Sequence, residues 1–584
     1  MLTKDYYNDF FEIGQQKINF SFFELGLPDD DPVYTLKNVM EELDFSGLLA
    51  CYSDKGRTGY NPIMLYSVVT YANMRGVRAV DRIVDLCQRD LAFIWLTKGQ
   101  KPQRDAFYDF KGKKLTGEVL DELNYQFMRR LKKEGLITLK ELYIDGTKLE
   151  ANANRYTFVW RGSLNYHLAG LLDTIDALYT KYNTFLMENG YGPKYDLGDA
   201  HMFVIEGIDK VRKVIEENRK RKLTKHKKIS NHTVIEIDSC SPLEILKLQK
   251  NLMQIAQGEG IGFVSEKGKR RPEIQKLYEE LEACGKRLME YKECFEIMGK
   301  DRNSYSKTDL EATFMRMKED HMLNGQLKPA YNVQIAVENY FIVHGYVSND
   351  RTDYNTLIPV LEKHRKAFGE PLEAVTADSG YCSEKNLLYL KENGIRSFIK
   401  LQDHEKRKTR AYKEDIGKYY TMTYAVFEDE HYYICHDGRE LRHIRTESKE
   451  MDGYTQTVEV YGCADCSGCA HKSKCLYKYD AQKNPDRNKV MKINERWEEL
   501  REESNANIQS EEGILKRQRR SIQTEGHFGD IKENENFRRF NYRSAEKVYK
   551  EFMLYAIGRN IMKYHRFLHQ EIEKYEGKKE QKAA

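Results

Sequence analysis

Residues 519–532 read RRSIQTEGHFGDIK, a stretch in which one acid, Glu525, stands among basic side chains. The spacing predicts a helix on which Glu525 and Lys532, two turns apart, project from one face. Gly526 and Gly529 each cost about 1 kcal/mol relative to alanine inside a helix, so we expect another backbone to approach them closely. A carboxylate flanked by lysine and arginine suits a metal ion beside phosphate better than it suits a core.

Two further acids follow short apolar segments that predict buried strands. In residues 142–148, LYIDGTK, an Asp-Gly pair closes the apolar run and signals a turn, so Asp145 is expected at or near a strand end. Residues 374–380, AVTADSG, put Asp378 in the same setting. The segment 329–347 alternates apolar and polar side chains on both sides of a tight turn and predicts a β-hairpin.

The order of these elements indicates a fold class. A strand, a β-hairpin, a helix over 353–368, a second Asp-bearing strand and a final helix follow one another as in the RNase H-like fold. In that fold the two Asp-bearing strands are neighbours, so Asp145, Asp378 and Glu525 can converge. Three hard oxygen ligands suit Mg²⁺ or Mn²⁺, and two such ions would activate an attacking oxygen and stabilise the leaving one.

Each acid taken alone has an ordinary explanation. An Asp before Gly is most often a turn former, and a Glu in a basic helix is most often part of a surface ion pair. The agreement of all three with one element order makes Asp145, Asp378 and Glu525 the candidate catalytic residues.

The rest of the chain divides around this α/β core. Its 584 residues exceed the length of one domain. Short helices near the start, the last of which carries Arg104, resemble a helix-turn-helix array, although periodicity alone also allows a plain helical bundle. The predicted segments are an all-helical domain in 1–140, the first core strand in 141–160, a helical insertion in 161–305, core elements in 306–401, a Cys-rich insertion with strands in 402–510, the third acid and the end of the core in 511–570, and a tail in 571–584.

Charge and cysteine content indicate the environment of the chain. Net charge is only +4, yet basic residues cluster at 210–228, 267–271 and 516–520, which suits an anionic track as well as solvated helix faces. The chain begins without an apolar leader and holds no run of about 18 apolar residues, so neither a signal peptide nor a membrane span is expected. The 11 cysteines are mostly scattered singly, which indicates a reducing interior.

Four of the cysteines, Cys463, Cys466, Cys469 and Cys475, fall within thirteen positions. This spacing in a polar loop predicts a structural Zn²⁺ site, and the same ligands would also suit an iron–sulfur cluster. His471 is an alternative ligand in place of one thiol. Free cysteines in a loop are the other explanation, but free cysteine prefers burial.

Residues 537–543, FRRFNYR, combine arginines with aromatic rings. Arginine pairs with phosphate and aromatic faces stack on exposed bases, so this run is a candidate nucleic-acid contact. We expect Phe537 and Phe540 to point inward and Arg538 and Arg539 to point outward.

On these residues the chain resembles the DDE transposases of bacterial insertion sequences, in the group whose third acid lies in a Tyr-Arg-Glu-Lys helix. The resemblance is carried by residues 61–96, 143–147, 377–381 and 521–540. It implies an N-terminal module that recognises the ends of the element. It also implies that Asp145, Asp378 and Glu525 hold the catalytic metals and that Lys532 holds phosphate or base near the cut.

The sequence departs from the motif upstream of the third acid. The positions four and seven before Glu525 hold Ser521 and Gln518, where the motif has Arg and Tyr. Arg520, one residue away, and Arg517 are the candidate substitutes for the missing arginine.

The function that the resemblance implies is transposition. Such an enzyme nicks the phosphodiester at each end of the element, and the freed 3′-OH attacks target DNA. Its partners are the terminal inverted repeats and the target, bound by at least a homodimer in the bacterial cytoplasm at the nucleoid, with no membrane partner. Two alternatives stay open, a catalytically inactive DNA-binding regulator and an RNase H-like nuclease that cuts without joining strands. The expected DNA contacts are Arg104, Arg519, Arg520, Lys532, Arg538 and Arg539.

Overall fold

The computed structural model describes the chain in ten segments. They are residues 19–20, 23–24, 26–52, 59–197, 242–265, 268–299, 302–317, 325–428, 430–451 and 453–569. The basic cluster at 210–228, the start of the chain and the predicted tail at 571–584 lie outside the described residues. Within the described segments, no helix is long and apolar enough to cross a membrane.

The N-terminal region is mainly helical, as predicted, but it is not all-helical. Two short strands, β1 (Asn19–Phe20) and β2 (Phe23–Glu24), pair antiparallel ahead of the helices. The helices that follow are α1 (Pro32–Glu41), α2 (Ser46–Leu49), α3 (Pro62–Met74), α4 (Val80–Arg89), α5 (Leu91–Thr97), α6 (Arg104–Asp109) and α7 (Gly117–Lys133), with a π-helical turn at Phe110–Lys114. Asn61 caps α3 by accepting from the backbone N–H of Ile63 at 2.9 Å, as the Asn-Pro pair predicts.

Strand β3 (Glu141–Glu150) starts the core and is followed by a helical insertion. The insertion consists of α8 (Arg161–Glu188), α9 (Tyr191–Lys194), α10 (Pro242–Gly258) and α11 (Glu273–Met298), and it is flanked by the paired strands β4 (Phe158–Trp160) and β5 (Ser304–Ser306). Its helices bury an apolar cluster that includes Leu172, Ile255 and Leu281. The insertion therefore has a core of its own.

The central sheet has six strands. After β3 it contains β6 (Thr313–Arg316), β7 (Leu327–Glu338), β8 (Phe341–Ser348), β9 (Ala374–Ala377) and β10 (Arg396–Ile399), with α12 (Leu357–Phe368) before β9 and α13 (Glu384–Glu392) after it. Strands β3, β7 and β8 pair antiparallel, whereas β9 pairs with β3 in parallel and β10 pairs with β9 in parallel. The predicted hairpin is β7–β8, and its turn falls at Asn339 and Tyr340, both with positive φ.

Asp145 lies in the middle of β3, so the predicted strand end is wrong. The strand continues to Glu150 because its second half still pairs with β7, although the parallel pairing with β9 stops at Ile144. Packing explains the glycine that suggested a turn, since a Cβ at Gly146 would lie 2.2 Å from Nε2 of Gln334.

A second sheet lies between β10 and the third acid. Its five antiparallel strands are, in order, β11 (Thr423–Phe427), β12 (Glu430–Ile434), β13 (Glu440–Met451), β14 (Tyr454–Cys463) and β15 (Val490–Ile493), and the short helices α14 (His404–Arg407), α15 (Arg410–Lys413) and α16 (Lys472–Cys475) are interspersed. Helix α17 (Glu495–Gln509) follows and packs on the central sheet. Ser504 and Asn507 of α17 donate to backbone oxygens of β10 at 2.9 and 3.1 Å.

The third acid lies on a helix, as predicted. This helix is built from α18 (Glu511–Arg520), a π turn at Ser521–Glu525, α19 (Gly526–Gly529) and a second π turn at Asp530–Asn534, and α20 (Ala545–Leu568) ends the described chain. Helix α20 packs tightly on α3, since a Cβ at Gly558 would lie 2.8 Å from the backbone nitrogen of Met74. One apolar cluster draws side chains from α3, β3, β9 and α20, which include Val69, Ile144, Val375 and Leu554. The N-terminal helices and the central sheet therefore share a core.

Candidate active site

Asp145 and Asp378 lie side by side where β3 and β9 separate. The parallel register aligns the residues directly before them, so the two acids are neighbours across the strands. Asp378 Oδ1 accepts from the backbone N–H of Gly380 at 2.7 Å, which fixes the turn after β9. Asp145 Oδ1 accepts from the backbone N–H of Gly146 at 2.8 Å. Both carboxylates are half-buried and are held at defined positions.

The third-acid helix reaches Asp145 through Arg520 and Thr524. Arg520 donates to Asp145 Oδ2 at 2.8 Å from one nitrogen and to Glu525 Oε1 at 3.4 Å from another. The hydroxyl of Thr524 lies 3.1 Å from the same Oδ2 atom. The side chains of Asp145 and Arg520 are 14% and 16% exposed, whereas that of Glu525 is 60% exposed. One guanidinium thus joins the first acid to the third.

The π turn at Ser521–Glu525 gives Arg520 this position. On an α-helix, side chains three or four residues apart are neighbours, and the residue five before Glu525 would point elsewhere. A π turn closes one residue later, which brings Arg520 over Glu525 at a separation of five. The extra residue therefore compensates for Ser521, which occupies the position where the motif has arginine. Single π turns of this kind are frequent at functional sites.

The electrostatics of the two aspartates favour a cation. Burial is the largest cause that raises the pKa of Asp145, Arg520 lowers it, and the charge of Asp378 raises it further. Two hard oxygen donors that repel each other in this way fit a divalent ion. Among the described residues, Glu525 is linked to Asp145 through Arg520. Over the described residues, no three His, Cys, Asp or Glu side chains are arranged to hold one metal ion.

The predicted zinc ligands lie at the end of β14 and in the loop that follows it. Cys463 and Cys466 are buried in a small apolar cluster of the second sheet. Cys435, which follows β12 and was missed from the sequence, adjoins them. Burial is the main cause that raises the pKa of Cys463 and of Cys475, and the charge of Cys435 raises both further. The thiols are close together but are not at metal-binding geometry among the described residues, so zinc stays a prediction.

Three predicted DNA contacts can be placed on the elements that carry them. Arg519 is exposed and lies close to Tyr143 on β3. Lys532 is half-buried in the second π turn of the third-acid helix. Arg104 of α6 pairs with Asp81 of α4 at 2.7 Å, within the N-terminal helices.

The loop after the third-acid helix has the orientation predicted for it. Phe537 and Phe540 are buried, and Arg538 and Arg539 are exposed. The loop runs beside the end of β3, where a parallel backbone bridge links Glu150 to Arg539. The basic run is therefore attached to the strand that carries the first acid.

The segment after β3 continues the same surface. The side-chain amide of Asn152 donates to the backbone oxygen of Asn541 at 2.7 Å, and Arg543 donates to the backbone oxygen of Asn152 at 2.9 Å. Two runs that are far apart in sequence thus form one exposed face. We call it the arginine surface, and it consists of Arg155, Tyr156, Arg538, Arg539 and Arg543.

No described part of the protein approaches Gly526 or Gly529, so that expectation is wrong. A Cβ at either position would have no heavy atom within 4 Å. The space beside the exposed Glu525 is therefore open to a partner.

Sequence reasoning also missed two buried polar residues beneath the acids, Gln334 and Tyr381. The hydroxyl of Tyr381 donates to Oε1 of Gln334, and neither side chain is exposed. Burial and then nearby carboxylates, Asp145 and Asp378 among them, raise the pKa of Tyr381. The available signal was a glutamine inside strand β7, whose residues from Pro329 to Glu338 are all buried, because a buried polar side chain requires a partner.

Two family models match parts of the chain. One, described as Transposase DDE domain, matches residues 434–565, a span that contains the Cys-rich segment and Glu525. The other, described as Transposase domain (DUF772), matches residues 22–113 in the N-terminal helices. Both matches support a DDE transposase of the insertion-sequence type.

Part of the candidate site lies outside the residues that the two family models match. Asp145 and Asp378 lie outside both matched spans, and their pairing comes from the strand register alone. A DDE domain implies the use of divalent metal in general. No curated protein and no solved structure matches the chain.

Proposed function

We propose that the chain cleaves the DNA ends of an insertion sequence and transfers them into target DNA. The observation that carries the proposal is Asp145 beside Asp378, with Glu525 joined to Asp145 through Arg520. The parallel strands β10, β9 and β3, followed by the antiparallel β7 and β8, support an RNase H-like core for this reaction.

In this proposal the three acids hold Mg²⁺ or Mn²⁺, as two ions. The bound metal would activate the attacking oxygen and stabilise the leaving one in the displacement at phosphorus. Asp145 is oriented for this role by the Thr524 hydroxyl. Arg520 releases at least one of its two carboxylates when the acids share a cation, and its guanidinium then pairs with the reacting phosphate.

We propose that DNA lies across the open side of the third-acid helix and along the arginine surface. Arginine forks bind phosphate through paired N–H donors, and Tyr156, at 84% exposure, offers a face to an exposed base. Arg519 and Lys532 belong to the same track near the cut. The N-terminal helices, with Arg104, recognise the element's ends. Because two ends have to be joined, the active form is a dimer on DNA at the bacterial nucleoid.

The Cys-rich segment is proposed to bind structural Zn²⁺ through Cys463, Cys466, Cys469 and Cys475. An iron–sulfur cluster is the alternative for the same thiols. Cys463 and Cys466 pack in the apolar cluster of the second sheet and not beside the three acids, which supports a role in stabilising that sheet.

The test is a cleavage and strand-transfer assay with end DNA and Mg²⁺. We expect Asp378→Asn and Glu525→Gln each to lower cleavage about a thousandfold, because loss of a metal ligand removes several kcal/mol of charge stabilisation. Asp350→Asn and Glu362→Gln are matched controls and should cleave like the wild type. Wild-type levels of cleavage by Asp378→Asn would refute the proposal.

The same assay separates the two other functions. DNA binding without metal-dependent cleavage by the wild type would indicate a regulator. Cleavage without a joined product would indicate a nuclease of the same fold.

A further inference from the structure

We propose that Asp353 is a positioning residue of the active site, whose fixed negative charge beside Asp378 strengthens binding of the divalent cation. The inference rests on the proposed function. Asp353 lies in the loop between β8 and α12, at the position where the sequence predicted a helix start. Its backbone oxygen accepts from the N–H of Thr356 at 3.1 Å and from its hydroxyl at 2.9 Å, so the loop is fixed.

One oxygen of the Asp353 carboxylate is anchored by two buried amides. Oδ1 accepts from Asn332 Nδ2 at 2.8 Å and from Gln334 Nε2 at 2.9 Å. These side chains belong to β7 and are 1% and 0% exposed. Gln334 is fixed in turn, because it donates to Asn332 at 3.0 Å and accepts from Tyr381. Both amides are neutral, so they orient the carboxylate without cancelling its charge.

The other oxygen of Asp353 lies on the same side of Gly380 as the Asp378 carboxylate. A Cβ at Gly380 would lie 2.9 Å from Asp378 Oδ1 and 3.0 Å from Asp353 Oδ2. The two carboxylates therefore converge on one side of Gly380, where any larger residue would displace one of them. Tyr381 is next in the chain, and its pKa is raised first by burial and then by the charges of Asp353, Asp145 and Asp378. Three acids thus surround one buried phenol.

This arrangement gives Asp353 an electrostatic role in addition to its part in packing. Like charges held together by the fold favour a cation among them, and a charge fixed behind the ligands adds to that attraction. Residues that lie behind metal ligands commonly change metal affinity ten- to a hundredfold when they are substituted. Glu525 differs from Asp353 because it reaches the pair together with a positive charge, that of Arg520.

The experiment is a Mn²⁺ titration of the full chain without DNA, followed by electron paramagnetic resonance. Asp353→Asn removes the charge and keeps the shape and an oxygen for the two amides. We expect it to weaken Mn²⁺ binding about tenfold or more. Asp350→Asn, three positions away in the same loop, is the control and should bind Mn²⁺ like the wild type. Asp353→Ser, which also leaves an acceptor for the amides, replaces the first variant if Asp353→Asn does not fold.

Equal Mn²⁺ affinity in the wild type and the Asp353 variant would overturn the inference, as would a wild-type protein that binds no Mn²⁺. A merely structural Asp353 would lower the melting temperature and leave the Mn²⁺ affinity of the folded protein unchanged. Wild-type protein that binds Mn²⁺ more tightly than Asp353→Asn but cleaves no end DNA would refute the proposed function and leave this inference standing.

Discussion

The guanidinium of Arg520 donates to the carboxylate of Asp145 at 2.8 Å, although 375 residues separate the two along the chain. The contact ties the third-acid helix to the first strand of the central sheet. The same guanidinium reaches Glu525, so Arg520 lies between two of the proposed metal ligands. Whether the acids can share a metal ion beside a phosphate therefore depends on the position of the Arg520 side chain.

Replacement of Arg520 tests this relation. We expect Arg520→Ala to lower DNA cleavage about a hundredfold, because a charged donor aimed at the reacting phosphate is lost. Arg520→Lys keeps the charge but not the paired donors, so its cleavage rate should lie between those of Arg520→Ala and the wild type. Arg365→Ala, which removes an exposed arginine of α12, is the control. Cleavage by Arg520→Ala at the wild-type rate would show that the Arg520–Asp145 ion pair has only a structural role.

The parts of the fold that could be predicted depend on local signals. The hairpin β7–β8, strand β9 and the Asn61 cap follow from alternation, an apolar run and a capping residue within a few positions. The end of β3 could not be predicted this way. Its Asp-Gly pair is a local turn signal, and long-range pairing with β7 overrides it.

The parts of the site that were missed depend on contacts between distant segments. Asp353 and Asp378 come to the same side of Gly380, and Cys435 adjoins Cys463, only after the chain has folded. The π turn at Ser521–Glu525 was missed for a different reason. A helix predicted from a periodicity of 3.6 residues per turn is regular throughout, and a π turn adds one residue to it. The three acids could be proposed from the sequence because each belongs to a recognisable element, Asp145 and Asp378 to short apolar segments and Glu525 to a helix among basic residues.

Gly146→Ala tests the packing beneath Asp145. A Cβ there would lie 2.2 Å from Nε2 of Gln334, and that amide is held by Asn332, Asp353 and Tyr381, so it cannot move without breaking these bonds. We expect a loss of about 1–3 kcal/mol in the free energy of unfolding, measured by urea titration, and reduced cleavage.

Two further variants identify the cause. Gln334→Ala in the same chain makes room for the new methyl group, so the double variant should be more stable than the sum of the single effects. Gly170→Ala has no heavy atom within 4 Å of its new Cβ and should not be destabilised. Simple additivity of Gly146→Ala and Gln334→Ala would contradict the proposed clash.

Metal analysis tests the Cys-rich segment. We expect purified wild-type protein to contain about one zinc ion per chain, and Cys463→Ser to lower both the zinc content and the melting temperature. Cys435→Ser should lower the zinc content as well if the fifth thiol is a ligand. Cys51→Ser, in the N-terminal helices, is the control. Protein that carries neither zinc nor iron after growth in supplemented medium would rule the metal site out.

A buried histidine pair predicts how stability depends on pH. Nitrogens of His344 and His364 lie 2.9 Å apart, and His364 Nε2 donates to the backbone oxygen of Leu139 at 3.0 Å. Burial lowers the pKa of His344 well below its usual value and that of His364 to about 4. Because both pKa values are lower in the fold than in the unfolded chain, the contribution to stability is complete above about pH 6.5 and is lost as pH falls toward 4.

Urea titrations across this window measure the effect. We expect the free energy of unfolding to fall by up to about 1.4 kcal/mol per pH unit for each histidine, since the unfolded chain takes up protons that the fold excludes. His344→Gln should make the fall shallower, and His431→Gln, on exposed β12, should leave it as it is. An unchanged slope in His344→Gln would mean that other groups control stability in acid.

Gly526 and Gly529 allow stability and DNA binding to be separated. Their Cβ positions are open, so alanine at either should raise the free energy of unfolding by about 0.5–1 kcal/mol, as expected for a glycine inside a helix. If the DNA backbone occupies the open side, the same methyl groups should weaken the affinity for end DNA, measured by fluorescence anisotropy. Gly170→Ala in α8 is also helical and open, and it should gain stability without any change in DNA affinity. Gains in stability at Gly526 and Gly529 with undiminished affinity would place the DNA elsewhere on the protein.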